Sequence, residues 1–411
     1  MNAANPSLID TGGVAWVLTA SALVLFMTLP GLALFYGGLV RARNFLSVMM
    51  HCFAICCIVS VIWGLFGYSL AFGDGGALIG PLGKAFLAHL GDKNLPGNLP
   101  EIVFVIFQMT FAIITPALII GSFPERVRFS FVAVFSALWL VIVYLPIAHW
   151  VWGGGWLAQN GVLDFAGGVV VHTTAGVSAL VAATIIGPRR GFPRNLMAPH
   201  NPGMTMAGAG MLWVGWFGFN GGSALAADAT AASAILATQF AASTAALTWI
   251  AIEWLRIGKP TSVGLVTGAV AGLATVTPAS GFVGPMGGMI IGIAGGAFCC
   301  FATSLVKQHL RFDDSLDVFA VHGVGGMLGS ILVAIFVSRD LGGVGYGAGM
   351  DMSKQLVTQV VAVAAAAAWS GGATFVLVKL LSVVTGLRVT AEEEEDGLDF
   401  STHGESAYDH S

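Results

Sequence analysis

His172 and His322 stand inside strongly apolar stretches, GGVVVHTTAG and DVFAVHGVGG. A neutral imidazole in hydrocarbon needs partners for both ring nitrogens, one as donor and one as acceptor. A lone histidine in such a place is commonly a hydrogen-bonded packing residue. Two at corresponding places in the chain can share one proton between facing nitrogens, forming a polar strip that accepts a hydrogen bond from a passing molecule or relays a proton. Two histidines with no nearby third ligand do not usually hold zinc, so no metal is expected. Asp164 precedes His172 and Asp317 precedes His322, each at the start of an apolar run. An aspartate at a helix start caps free backbone amides. Asp164 is followed by Ala166-Gly167-Gly168, and its charge there would favour a cation at a pore mouth without touching it.

Aromatic side chains supply a second signal. Phe107 and Phe111 of FQMTF are four residues apart, hence on one face of a helix and able to stack along a path. Trp152 of HWVWGGG and Ser223 of GWFGFNGGS are expected in outer loops, where they can join Phe107 around a small cation. Each aromatic face attracts a cation by about 0.5 to 2 kcal/mol, and a hydroxyl adds a directional acceptor.

The elements that must position these groups are membrane helices. The 411 residues are 56% hydrophobic and only 9% charged, with a mean hydropathy of +0.85. Apolar stretches of about 20 residues, each long enough to cross the hydrocarbon as a helix, fall near 13–39, 45–72, 100–122, 129–148, 164–187, 203–221, 228–254, 262–280, 284–307, 316–337 and 355–386. The fold expected is therefore an all-α integral membrane protein with eleven transmembrane helices. Met1 to Asp10 carries no basic residue, so the first span is expected to remain as a helix rather than serve as a cleaved signal. With the N-terminus outside, only Lys84, Lys93, Arg339 and Lys354 of the 17 Lys and Arg lie on the outer side. The positive-inside rule then places the C-terminus in the cytoplasm.

Leu34 to Gly38 echoes Gly218 to Gly222, and Leu163-Asp164-Phe165 with His172 echoes Leu316-Asp317-Val318 with His322. These echoes fit two inverted halves of five helices, with the eleventh outside the repeat. Residues 1–390 form the membrane domain and 391–411 a cytoplasmic tail, whose run Glu392 to Asp396 reads as a solvated charge block. The five cysteines fall inside spans without metal-knuckle spacing and read as packing residues.

The chain resembles the ammonium transporters of the Amt/Mep/Rh family, in the bacterial Amt branch. The likeness runs from ALVLFMTLPGLALFYGGLVRARN to GLDFSTHGESAY and includes FQMTFA, ERVRFS, PIAHWVWGGG, LDFAGGVVVH, GWFGFNGGS and DVFAVHGVGG. The resemblance implies a homotrimer in the inner (cytoplasmic) membrane, in contact with lipid, that carries ammonium, ammonia and methylammonium along one path per subunit. It implies that Phe107, Trp152 and Ser223 recruit the ion, Phe111 and Phe219 form a gate, and His172 and His322 line the pore. Asp164 would support the outer site and deprotonation. A PII-type signalling protein would meet the tail, whose Gly397-Leu398-Asp399 and His403-Gly404-Glu405 match the family pattern. No cofactor, nucleic-acid partner or enzymatic activity is expected. Rival readings are an ammonium sensor signalling through the tail, a metal-dependent membrane enzyme using the two histidines, and a channel for another small neutral solute such as carbon dioxide.

Overall fold

The computed structural model describes residues 9–91, 95, 98–194 and 197–408. These residues are almost wholly helical and contain no strand, only an isolated bridge between Val127 and Arg388. In chain order the long helices are α1 (Thr11–Leu39), α2 (Ala42–Phe72), α3 (Glu101–Ser122), α4 (Phe129–Gln159, interrupted at 152–155), α5 (Gly168–Ile186), α6 (Pro202–Trp216, continued by Phe217–Gly221), α7 (Ala229–Ile257), α8 (Ser262–Val276), α9 (Pro285–His309), α10 (Phe319–Phe336) and α11 (Met352–Val384). Among the described residues, nine helices, all of these but α6 and α8, are long and apolar enough to cross a membrane.

Side-chain caps set several helix starts. Asn201, Asp228, Thr261 and Asp351 each accept the backbone N–H three residues on, at 2.8 to 3.0 Å. Each cap satisfies an amide that the helix itself leaves unpaired.

Glycine decides how closely the helices approach. A Cβ on Gly176 of α5 would lie 2.2 Å from the Gly323 Cα of α10, and one on Gly208 of α6 would lie 2.3 Å from the Phe35 nitrogen of α1. Backbone against backbone at this distance admits no side chain, the usual way membrane helices pack tightly.

Several helices widen locally into π turns, among them Met27–Leu32, Gly168–Thr173, Phe217–Gly221 and Phe319–Gly323. Such turns cluster at functional positions because the extra residue re-aims side chains and loosens the backbone ladder. His172, Phe219 and His322 all lie in them.

The tail departs from the expected solvated block. It forms α12 (Ala391–Asp396) and α13 (Leu398–His403), with Glu394 and Asp399 both buried. Glu394 accepts from Arg388 at 2.7 Å and from the Arg190 amide at 2.9 Å. The Asp399 carboxylate takes the Leu46 and Ser47 amides at 3.0 and 2.8 Å, capping the start of α2. The acidic run is thus divided by helix geometry, one carboxylate turned inward onto cations while Glu392 and Glu395 face solvent.

Candidate functional site

The aromatic residues singled out above converge on one line. The Phe107 and Phe111 rings lie edge to face with centroids 5.0 Å apart, and Phe111 meets Phe219 at 4.3 Å. All three rings are buried. Beyond Phe219, the His172 ring stacks at 6.0 Å, and His322 follows at 5.2 Å. One row therefore runs from α3, across α6, to α5 and α10.

Trp152 opens the break in α4, half-buried and edge-on to Phe111 at 5.8 Å. Its indole N–H donates to the Asp164 carbonyl at 2.8 Å. Ser223 lies beyond the end of α6, next to Gly222, where a Cβ would approach the Phe107 ring to 2.7 Å. The Ser223 hydroxyl donates to the Phe219 carbonyl at 2.8 Å, which leaves its oxygen lone pairs available to accept.

The Asp164 carboxylate is a helix cap. It accepts four backbone amides, those of Gly167, Gly168, Val169 and Val170, at 2.6 to 3.0 Å. Gly167 takes the left-handed φ of 115° that the turn requires, and Trp152 covers it, since a Cβ there would lie 3.4 Å from Trp152 Cη2.

The corresponding cap in α10 is not Asp317. Asp314 accepts the Val318 and Phe319 amides at 3.0 and 2.7 Å, while Asp317, at φ 63°, pairs with Lys307 at 2.8 Å. The helix begins later in the chain than the apolar run, and its first amides point back at the earlier acid. The echo is thereby tightened: Asp164 and Asp314 each stand eight residues before a histidine. Burial, and then the Asp317 charge, push the Asp314 carboxyl up to about 7.

The two histidines meet through Nδ1 atoms 3.2 Å apart. Only one of these nitrogens can donate, so the ring that donates presents a bare Nε2 and its neighbour presents an Nε2–H. His172 Nε2 is buried without a protein partner. Around the pair lies a cavity of about 10 Å3, room for one water-sized molecule, walled by apolar residues such as Met27, Ile114, Val171 and Phe219. Phe35, Val270 and His322 line both this cavity and a wider vestibule of about 190 Å3 that includes Tyr36, Lys307, Ser315 and Asp317.

Sequence reasoning gave no role to two residues and one backbone feature that the site uses. Trp216 stacks on His172 at 5.5 Å with its N–H held by Thr277 at 2.8 Å; its place in an aromatic-rich motif was its only signal. Asp314 was hidden behind its neighbour, and the π turns have no sequence signature.

Residues 15–408 match the sequence model of the Ammonium Transporter Family. The chain belongs to that family. This ammonium transporter family member is 47% identical to an ammonium transporter of Aquifex aeolicus over 410 residues, covering 98% of this chain and 95% of the relative. It is 46% identical to an ammonium transporter of Bacillus subtilis over 390 residues, covering 94% and 96%. Among solved structures, Mep2 of Saccharomyces cerevisiae superposes with a TM-score of 0.85 at 37% identity, covering 94% of this chain and 89% of that one. A sensor Amt protein superposes with a TM-score of 0.89 at 31% identity, covering 95% and 98%. The curated relatives are named as transporters, and the family member described here is a multi-pass membrane protein.

Proposed function

We propose that this protein recruits ammonium at the outer mouth of an inner-membrane channel, where the ion gives up its proton to water above the aromatic gate, and conducts ammonia past the paired histidines, along which the proton is carried separately. Eleven crossings in two inverted halves, the N-terminus outside and the tail inside, complete the reading. So do a trimeric assembly with one path per subunit and a PII-type partner at the inner face. The matching caps, Asp164 with His172 and Asp314 with His322, support the inverted repeat. Phe107, Trp152 and Ser223 hold the cation, Phe111 and Phe219 close the path beneath it, and Asp164 fixes the turn under Trp152 while biasing the mouth toward positive charge.

One observation carries this reading: a row of buried aromatic rings ends on two histidines in a cavity sized for one small molecule. Ammonium is an acid of roughly lysine-like strength and is almost wholly charged at neutral pH. Moving the bare ion into an apolar passage costs on the order of tens of kcal/mol in the Born limit, against about 2 kcal/mol returned by each aromatic face. Removing its proton at pH 7 costs about 3 to 5 kcal/mol, at 1.36 per pKa unit. Ammonia is the form that crosses. Potassium has no proton to give up and stops above Phe111.

The test is transport by purified protein in liposomes. His172→Ala with His322→Ala is expected to abolish ammonia conduction or to let potassium through; unchanged uptake with unchanged selectivity would sink the reading. The likeness to a sensor Amt protein favours a second reading, in which the tail reports ammonium without much flux. Uptake of labelled methylammonium into liposomes holding only this protein separates the two.

A further inference from the structure

His149, in the last turn of α4 before its interruption, has no part in the path described above. Its ring is fully buried. Nδ1 lies 3.0 Å from the Ala71 carbonyl oxygen, and Nε2 lies 3.0 Å from that of Gly76. Both oxygens can only accept, and a neutral imidazole carries one N–H. One contact is therefore an N–H donation whichever nitrogen carries the hydrogen, and the other seats the second ring nitrogen against a carbonyl. Ala71 belongs to the last turn of α2, where carbonyls lack intrahelical partners.

The contact joins two helix ends. Ala71 lies in the last turn of α2 and Gly76 in the outer loop that follows. The same loop is tied to α4 by Trp150, whose indole N–H donates to the Leu78 carbonyl at 2.8 Å, and by the Trp156 amide, which donates to Ala77 at 3.1 Å. There is no slack at the crossing: a Cβ on Gly153 would stand 2.1 Å from the Ala71 oxygen and 2.6 Å from His149 Nδ1. Trp152 is the residue before Gly153, and its amide closes the same turn on Ala148 at 2.8 Å.

We propose that His149 is a positioning residue for the outer cation site. Through its two ring nitrogens it straps the end of α4 to the end of α2, and so fixes the Trp152 ring edge-on to Phe111. The inference rests on the outer-site reading given above. It differs from a packing role in what it predicts, because a cation face set out of line weakens capture of the ion while leaving the passage below intact.

The experiment measures methylammonium uptake in proteoliposomes, with KM and Vmax per folded protein, for wild type, His149→Ala, His149→Gln, Trp152→Leu and Glu101→Gln. A glutamine amide nitrogen offers two N–H groups and serves both carbonyls in part, which makes it the conservative variant and the one to read if the alanine variant does not fold. Glu101 anchors the far end of the same outer loop through Tyr68, Lys84 and the Gly91 amide. Its variant reports what general loosening of that loop does. KM is expected to rise about three- to tenfold in His149→Ala, the scale of one misplaced aromatic face, and less in His149→Gln, with Vmax within about twofold. If Trp152→Leu raises KM and neither His149 variant does, the proposal falls and the outer site stands. If Trp152→Leu leaves KM unchanged, the outer-site reading itself fails. An equal KM rise in Glu101→Gln, or a fall in Vmax and folded yield without a KM change, overturns the positioning role.

Discussion

A carboxylate that accepts four amides is committed to the backbone before it can act on anything else. Asp164→Ala would leave the Gly167, Gly168, Val169 and Val170 amides without their acceptor. Each buried donor left unpaired costs about 1 to 3 kcal/mol. Asp164→Asn keeps one carbonyl oxygen able to accept two of the four. The expected order of thermal stability in detergent, followed by tryptophan fluorescence, is wild type, then asparagine, then alanine, with uptake falling alongside. An asparagine variant as stable as wild type but inactive would move the role of Asp164 from the turn to the cation. The sequence made the histidines legible because an ionisable ring in hydrocarbon is conspicuous. It misplaced the second cap because Asp314 and Asp317 differ only in where the helix begins, which neighbouring acids do not reveal.

Helix contacts set the spacing of the histidine pair. Gly176 sits one turn beyond His172, and a Cβ there would press on the backbone of Gly323, the residue after His322. The Nδ1 atoms, 3.2 Å apart, have no room to follow a separation of α5 and α10 and remain bonded. Gly176→Ala is therefore expected to cost about 1 to 3 kcal/mol of stability by overpacking and to remove most conduction, while a cation still competes at the outer site. Uptake and competition assays on one preparation check both halves; normal uptake would show that α5 yields elsewhere. At this scale the apolar runs announced the long helices. The π turns that aim His172, Phe219 and His322 were invisible, since one inserted residue leaves hydropathy unchanged. The acidic run of the tail was misread because composition reports charge and not the face on which each carboxylate falls; Glu394 points inward at Arg388 and its neighbours do not.

The face that carries the tail is held together by a buried network of charged and polar side chains. Glu125, pushed up by burial but held below its usual range by Arg189 and Arg41, links the segment after α1 to the Arg189–Asp313 pair. Asn44 then ties this cluster to the tail, donating to Glu125 at 3.2 Å and accepting the Leu398 amide at 2.8 Å. Beyond it α13 seats His403 edge-on to Phe129 at 5.5 Å, while His51 of α2 stacks on that same ring at 5.8 Å. The Nε2 atoms of both histidines are buried without partners. Burial lowers the His403 pKa from its usual 6.5, and Asp399 and Glu405 offset part of that. A released tail therefore binds a proton more readily than a docked one. Docking is favoured above the released value and weakens as pH falls through about 6.5. Asp399, raised by burial against the Leu46 and Ser47 amides, has the opposite sign, but it changes in the carboxylate range at lower pH. Between roughly pH 8 and 5.5 the histidine effect governs. Limited proteolysis of the tail in detergent-solubilised protein is expected to quicken across that window, and His403→Gln, which removes the titration, to flatten the dependence. A tail equally protected at both ends of the window in wild type would mean that His403 keeps its usual affinity for the proton while seated against Phe129.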